Sequence, residues 1–354
     1  MLKVEIRPDW ILRDARGNPT ALPALLALLT AVSETGSISK AAAAYGMSYR
    51  HAWGLLQQFS EQFGAELVFK VRGQGTALSP LAEKLIWADR RISARLTPLL
   101  DSLASELQQE LARVMAGDAQ VLRLTASHGF AVAALVTQLR EQGVTVDIKY
   151  RSSTEAVAAL ARGECDLAGF HLPVGKYEQA AAAQHRLWLD GDKHAFLHLA
   201  YREQGLFVAK GNPRNVTGLA DLVRPDLRFV NRQHGSGTRV LLELLLADHA
   251  IDTSRIAGFD SAEFTHAAVA AYVASDMADI SFGVETAARR FDLDFIPICR
   301  ERYFLACEKG ALGSPLIVAA QEAMQHGDFR AVLDGLPGYD GTGSGTPAAL
   351  DALF

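Results

Sequence analysis

The chain has 354 residues, 49% hydrophobic and 21% charged, and a formal net charge of −5. This is ordinary soluble globular composition with room for two or three domains. There is no run of 18 apolar residues and no basic-then-apolar leader, so the sequence predicts neither a membrane span nor a secretory signal, and a cytoplasmic location. Cys165, Cys299 and Cys307 are an odd number without CxxC or Cys/His clustering, which argues against a disulfide frame and a structural metal.

In chain order, the alternation of Val4, Ile6, Trp10 and Leu12 around RGNP predicts a small hairpin, and the leucine spacing of Leu22 to Thr35 a helix closed at Gly36. Ser37 to Phe63 then reads as two helices joined by a tight turn. Ser37 caps a helix through the alanines to Tyr45, Gly46 supplies a left-handed turn residue, and Ser48 caps the second helix. Ala41, Ala42, Met47, Ala52, Leu55, Leu56 and Phe59 fall where the two would pack. That leaves Tyr49, Arg50 and His51 at groove-reading positions, with Ser37, Ser39, Lys40 and Ser48 as further DNA contacts. Ala65 to Pro80 has two apolar runs around a basic, glycine-rich tip, the pattern of a two-stranded wing whose Lys70 and Arg72 would meet phosphate.

From residue 80 to 116 leucines recur every three or four positions. Pro80 suits the first turn of a helix, Pro98 is expected to kink or split it, and Gly117 to end it. So long an apolar stripe predicts pairing of two chains, which would present two readers to two half-sites. Residues 1–116 carry 13 Lys/Arg against 11 Asp/Glu, or +2; the remainder carries 22 against 29, or −7. The sign difference suits a DNA-binding head on an acidic body.

From Val121 strands and helices alternate, which predicts α/β structure with parallel strands; the tail from Ser314 to Gly335 reads as helical and GYDGTGSGTPAAL as loose. Several strand ends stop in small polar residues before a helix, where free N–H groups and the helix dipole favour an anion. The candidates are Ser127 and His128; Ser152, Ser153 and Thr154; His171; Ser236, Gly237, Thr238 and Arg239; Thr265 and His266; and Ser281 to Gly283. GSGTR at 235–239 is the sharpest, although helix capping with Arg239 in a salt bridge accounts for it about as well; His266 taken alone reads better as a satisfied structural histidine than as a ligand. GSGT is not a GxSxG elbow, GQGT at 73–76 lacks the lysine of a P-loop, and no HExxH is present, so no enzyme is expected and no cofactor.

On TGSISKAA…GMSYRHAWGLL, the wing and LSPLAEKLI, residues 21–115 resemble the molybdate-responsive ModE family of winged helix-turn-helix regulators and, more distantly, LysR-type regulators. On FVNRQHGSGTR, the TH-AAVAAYVAS-ADISFG run and ERYFLA, residues 120–345 resemble a periplasmic-binding-protein-like domain of the molybdate-binding group. ModE-type proteins usually carry small β-barrel modules after the reader; this chain turns to α/β instead.

The resemblance implies a multidomain chain: an N-terminal α(+β) winged helix-turn-helix over 1–79, a long linker helix over 80–117 and a C-terminal two-lobed α/β periplasmic-binding-protein-like domain over 118–354. Lobe I would take about 118–200 and 306–345, lobe II about 206–300, with Tyr201 to Asn212 and Pro297 to Cys307 crossing between them. The expected function is a homodimeric regulator that binds double-stranded DNA and a small anionic effector. Molybdate or tungstate is the first expectation, a small organic acid such as formate the second. The rival is an anion-binding module whose N-terminal part only dimerises.

Overall fold

The computed structural model describes the whole chain except residues 1–3, 14–16, 72, 74, 117–119 and 351–352. The described residues divide into two compact units, one within Arg7–Ser93 and the other made of residues 4–6 and those from Ala94 onward.

The first unit opens with an antiparallel pair, β1 (Ile11–Arg13) and β2 (Pro19–Ala21); the connecting RGNP begins at 16, outside the described residues. Helix α1 (Pro23–Thr35) starts on a proline, whose missing N–H costs nothing in a first turn, and stops at Gly36 in the left-handed region. Its Leu25, Leu28 and Leu29 are fully buried, each contributing about 1.5–3 kcal/mol of hydrophobic stabilisation. Helices α2 (Ile38–Ala44) and α3 (Tyr49–Phe63) begin at the expected caps: Ser37 Oγ accepts from Lys40 N–H, and Ser48 Oγ from His51 N–H. Gly46 takes φ +64° in the turn between them. Ala41, Ala42, Ala52, Leu56 and Phe59 are buried, and Met47 and Leu55 pack against the same core. The wing is β3 (Val68–Val71) and β4 (Gly75–Leu78), antiparallel, with Val68 opposite Leu78.

Helix α4 (Pro80–Ala116) continues through Pro98, so of the two expected outcomes, a kink or a split, the split does not occur. A helical proline leaves the carbonyl four residues earlier without its donor. Here Ala94 O accepts from Thr265 Oγ1 at 3.1 Å instead, so that loss is repaired by tertiary contact. The expected stop at Gly117 lies outside the described residues. No helix among the described residues is long and apolar enough to cross a membrane.

The second unit contains β5 (Val121–Ala126), α5 (Phe130–Glu141), β6 (Thr145–Tyr150), α6 (Ser153–Ala161), β7 (Leu167–Pro173) and α7 (Glu178–Ala183). It continues with β8 (His194–Val208), β9 (Phe229–Arg232), α8 (Gly237–Asp248), β10 (Ala262–Glu263), α9 (His266–Ala274), β11 (Ile280–Val284) and α10 (Glu285–Arg290). It closes with β12 (Asp294–Glu308), α11 (Pro315–Gln325), α12 (Gly327–Asp334) and β13 (Tyr339–Asp340). The sheet order is β10-β9-β11-β8-β12-β7-β5-β6, with β13 on β8. The strands are not all parallel as expected: β5–β6, β5–β7, β9–β10 and β9–β11 are, but β8 and β12 run antiparallel to each other and to β11 and β7 respectively. These two 15-residue strands pass through both halves of the sheet. Their outer parts pair with β7 on one side and β11 on the other, which divides the unit into two lobes joined by two continuous strands.

The tail expected to be loose is held along β8. Tyr339–Asp340 pairs with it, Ser344 Oγ donates to Leu199 O at 2.7 Å, and Pro347 bridges to Leu197. Backbone donors and acceptors of a central strand outweigh the turn-forming composition of this segment.

Candidate functional site

In the first unit, Ser39, Lys40, Ser48, Tyr49, Arg50, His51 and Lys70 are exposed and Ser37 is half-buried. Ser37 and Ser48 spend their side-chain oxygens on capping, which fixes where each helix begins. Tyr49, Arg50 and His51 form the first turn of α3, so their side chains leave the helix end where a recognition helix meets base edges. Lys70 stands on the wing; Arg72 lies outside the described residues.

In the second unit, four helices, α5, α6, α8 and α9, begin just after the ends of β5, β6, β9 and β10. Their first turns lie on both sides of the crossing strands. A β-carbon at Gly237 would stand 3.2 Å from His171 Cβ, and one at Gly235 3.4 Å from Ser152 Oγ. The start of α8 in one lobe therefore lies close against β7 and α6 in the other. At Gly235 the backbone has φ +76°, a conformation that glycine adopts without strain.

Arg202 and Glu301 face each other across the middle of the two crossing strands and form an ion pair, 2% and 0% exposed. Gln204 Nε2 donates to Glu301 Oε1 at 2.6 Å and to Thr238 Oγ1 at 3.1 Å, and Thr238 Oγ1 lies 3.5 Å from His266 Nε2. On the other side Ser153 Oγ is 3.1 Å from His171 Nδ1, the His171 ring stacks on Tyr303 at 3.8 Å between centroids, and Tyr303 OH is 3.2 Å from Ser127 Oγ. The Arg202 guanidinium lies over the Tyr303 ring at 5.6 Å. Arg232, at the end of β9, is 3% exposed and donates from Nη2 to Phe264 O at 2.6 Å.

Five buried polar atoms of this constellation have no partner among the described residues: Arg232 Nε and Nη1, His171 Nε2, Gln204 Oε1 and Glu301 Oε2. Native interiors pair nearly all such groups, so this concentration sets the constellation apart from the rest of the described core. The pKa shifts tell the same story. Burial, then the Arg202 charge, pulls Arg232 down to about 9, against Glu301. Burial opposes the Arg202 charge too, but Glu301 and Tyr339 more than offset it. Burial followed by Arg232 and Arg290 takes His128 to about 4. His171 and His266 fall well below their usual value, from burial first and the charges of Arg202 and Arg232 second. At neutral pH the histidines are uncharged, and Arg202, Arg232 and Glu301 sum to +1.

The expected ligand residues divide by what already occupies them. Ser127, Ser153, His171, Thr238 and His266 belong to the constellation, and His128, edge-on to Tyr150 at 4.8 Å, lies beside it. Ser152, Ser236 and Thr265 cap their helices by accepting from Glu155, Arg239 and Ala268 N–H. Thr154 is half-buried, and Gly237 packs on His171. Ser281 Oγ donates to Val230 O at 2.8 Å. Arg239 is the salt-bridge case: Nε donates to Glu243 Oε1 at 2.8 Å, with the guanidinium over Phe259. Sequence reasoning missed Arg202, Gln204, Arg232, Glu301 and Tyr303. A signal existed, since YREQ and CRERY place charges in the middle of otherwise apolar strands.

Residues 136–325, more than half the chain, match the model of the PBP superfamily domain, and residues 23–83 match that of the bacterial regulatory helix-turn-helix protein, lysR family. The chain is 33% identical over 192 residues to the uncharacterized protein YvgK of Bacillus subtilis, covering 54% of this chain and 62% of that one. It is 35% identical over 130 residues to the molybdenum-pterin-binding protein MopB of Rhodobacter capsulatus, 36% of this chain and 47% of that one. It is 28% identical over 160 residues to the molybdenum transport protein ModE of Azotobacter vinelandii, 42% of this chain and 58% of that one. The chain thus spans less than two thirds of the length of these relatives.

Proposed function

The chain belongs to the PBP superfamily and carries a lysR-family helix-turn-helix ahead of that domain, and from this premise we propose that it is a homodimeric, DNA-binding transcriptional regulator whose two-lobed domain binds a small anion. One observation carries the effector half of this reading: a buried cation, Arg232, with two unpartnered donors in a net-positive constellation between two lobes. A tetrahedral oxyanion accepts from Arg232 and from the donors at the helix starts around it, and the dipoles of those helices favour it. Molybdate and tungstate are the first candidates, because two relatives carry molybdenum in their names. A specific observation favours a second reading. Glu301 Oε2 and Gln204 Oε1 are acceptors, and a bare oxyanion brings them no hydrogen. A small organic acid with a hydroxyl or amine would satisfy them, as would a protonated oxyanion.

In this mechanism the anion draws the lobes together over Arg232 and Arg202, and the change reaches DNA through α4. Control requires that the effector bind the DNA-competent and incompetent forms unequally. The exposed Leu99, Leu103, Leu107 and Leu111 of α4 supply an apolar stripe for pairing with a second chain. The test is thermal unfolding of the purified protein with molybdate, tungstate, sulfate, phosphate, formate and glycolate in turn, beside a gel shift with DNA from upstream of its own coding sequence. A ligand at 100 times its Kd stabilises by about 2.7 kcal/mol. Stabilisation by molybdate and tungstate alone supports the first reading; stabilisation by phosphate or glycolate supports the second. No response to any of them overturns the cleft assignment, and absence of DNA binding overturns the regulator.

A further inference from the structure

The segment of α4 from Ala94 to Ser105 touches both lobes. Toward lobe I, Ser102 Oγ accepts from Tyr150 N–H at 3.2 Å, and Ser105 Oγ accepts from Ile148 N–H at 3.0 Å and donates to Val146 O at 3.3 Å. These serines take up the free backbone edge of β6, the last strand of the sheet. Toward lobe II, Arg95 Nε meets Glu263 at 3.0 Å, a carboxylate only 6% exposed, and Thr265 Oγ1 donates to Ala94 O. That carbonyl is available because Pro98 has no N–H to give it. The helix lacks one of its own bonds at this turn and borrows the replacement from lobe II.

Thr265 is also joined to the cleft on both sides. Its oxygen accepts from Ala268 N–H at 2.9 Å, capping α9, whose first residue is His266. The preceding residue, Phe264, gives its carbonyl to Arg232 Nη2, the only hydrogen bond that side chain makes among the described residues. An anion that engages Arg232 therefore pulls on a backbone segment whose next residue holds the helix. Between the two grips a cavity of about 340 Å³ is lined by Pro98, Leu99, Ser102, Tyr150 and Phe264, leaving the helix room to move.

We propose that Pro98 and Thr265 form the joint through which the state of the anion cleft is passed to α4. This rests on the cleft reading above, but the joint is tested without any ligand. Hydrogen exchange of the 99–105 amides is followed in the full-length protein, with Arg232→Met as the perturbation of the cleft. In the wild-type background that substitution is expected to change those rates by at least about fivefold, at the lower end of ordinary site-to-site couplings, and in a Pro98→Ala background by less than about twofold. Pro98→Ala restores the helical N–H and competes Thr265 away from Ala94 without touching the cleft. Because it replaces a helix-interior proline, it does not endanger folding. Thr265→Ser keeps the hydroxyl and is expected to behave as wild type. An equal response to Arg232→Met with Pro98 and with Pro98→Ala overturns the joint, as does uncoupling by Thr265→Ser. A second arm measures DNA affinity with and without sodium molybdate. A molybdate effect that survives undiminished in Pro98→Ala overturns the joint. No molybdate effect in wild type, with the exchange result standing, removes molybdate as effector and leaves the joint intact.

Discussion

Replacing Arg232 by methionine is expected to make the ligand-free protein more stable and blind to its effector. The guanidinium is 3% exposed and has lost its hydration at two nitrogens without replacement. Its pKa falls well below the usual arginine value, to about 9, first by burial and then by Arg202. At about 1.4 kcal/mol per unit, this corresponds to about 5 kcal/mol by which the folded state disfavours the charge. Methionine fills much of the same volume without charge, but it leaves Phe264 O without its donor, a buried carbonyl costing about 1–3 kcal/mol. The net expectation is a gain of about 2–4 kcal/mol, measured by urea unfolding at pH 7.5. With molybdate or the organic anion that stabilises wild type, the variant should show no further rise. A variant less stable than wild type without anion would refute the argument that Arg232 is held in strain. Equal stabilisation of both proteins by the anion would refute its role as counter-charge.

Arg50→Ala should bring the affinities for specific and random DNA closer together, whereas Lys70→Ala should weaken both and reduce the salt slope by about 1; anisotropy titrations over a range of salt separate the two. Leu103→Lys with Leu107→Lys, on the exposed stripe of α4, should give a folded monomer in sedimentation equilibrium if pairing occurs there. His128 sits at about 4 when folded against 6.5 when free, so the unfolded chain takes the proton first, and stability that is full above about pH 6.5 is lost as pH falls toward 4. For this residue the loss is about 2 kcal/mol at pH 5, and His128→Asn should lose that much less between pH 7.5 and 5 in urea titrations.

The first unit was legible because its determinants are local. Ser37, Gly46 and Ser48 each specify a cap or a left-handed turn by residue type alone, and the apolar spacing of α3 fixes which side chains remain outside. The strand ends of the second unit were legible for the same reason, and so Ser127, Ser153, His171, Thr238 and His266, which the structure brings together, were named from spacing. Arg202, Glu301 and Gln204 were not, because their meaning arises from pairing between strands 99 and 97 residues apart. Nothing local to YREQ says that its arginine will meet a glutamate across a crossing strand. That α4 stays unbroken at Pro98 was not legible for a related reason: helix propensity counts the missing N–H but does not see the hydroxyl from Thr265 that replaces it.

That replacement bears on why the chain tolerates a proline in the middle of a 37-residue helix. A proline in a helix interior costs about 3 kcal/mol, and an alanine there would hold the turn without help from lobe II. The helix would then be indifferent to where lobe II stands. With proline, the turn is complete only while Thr265 is in reach, so the energy of the helix depends on the position of the lobe that carries Arg232. On the proposed reading Arg232 presents the same logic at the other end of the path: a buried cation with two donors unpartnered among the described residues would gain from an anion. Two local deficits, one that the proposed ligand would complete and one completed by a neighbouring lobe, are linked through the single peptide between Phe264 and Thr265. A sensor needs unequal stabilisation of two states. Here the inequality comes from bonds the protein leaves unmade rather than from additional ones.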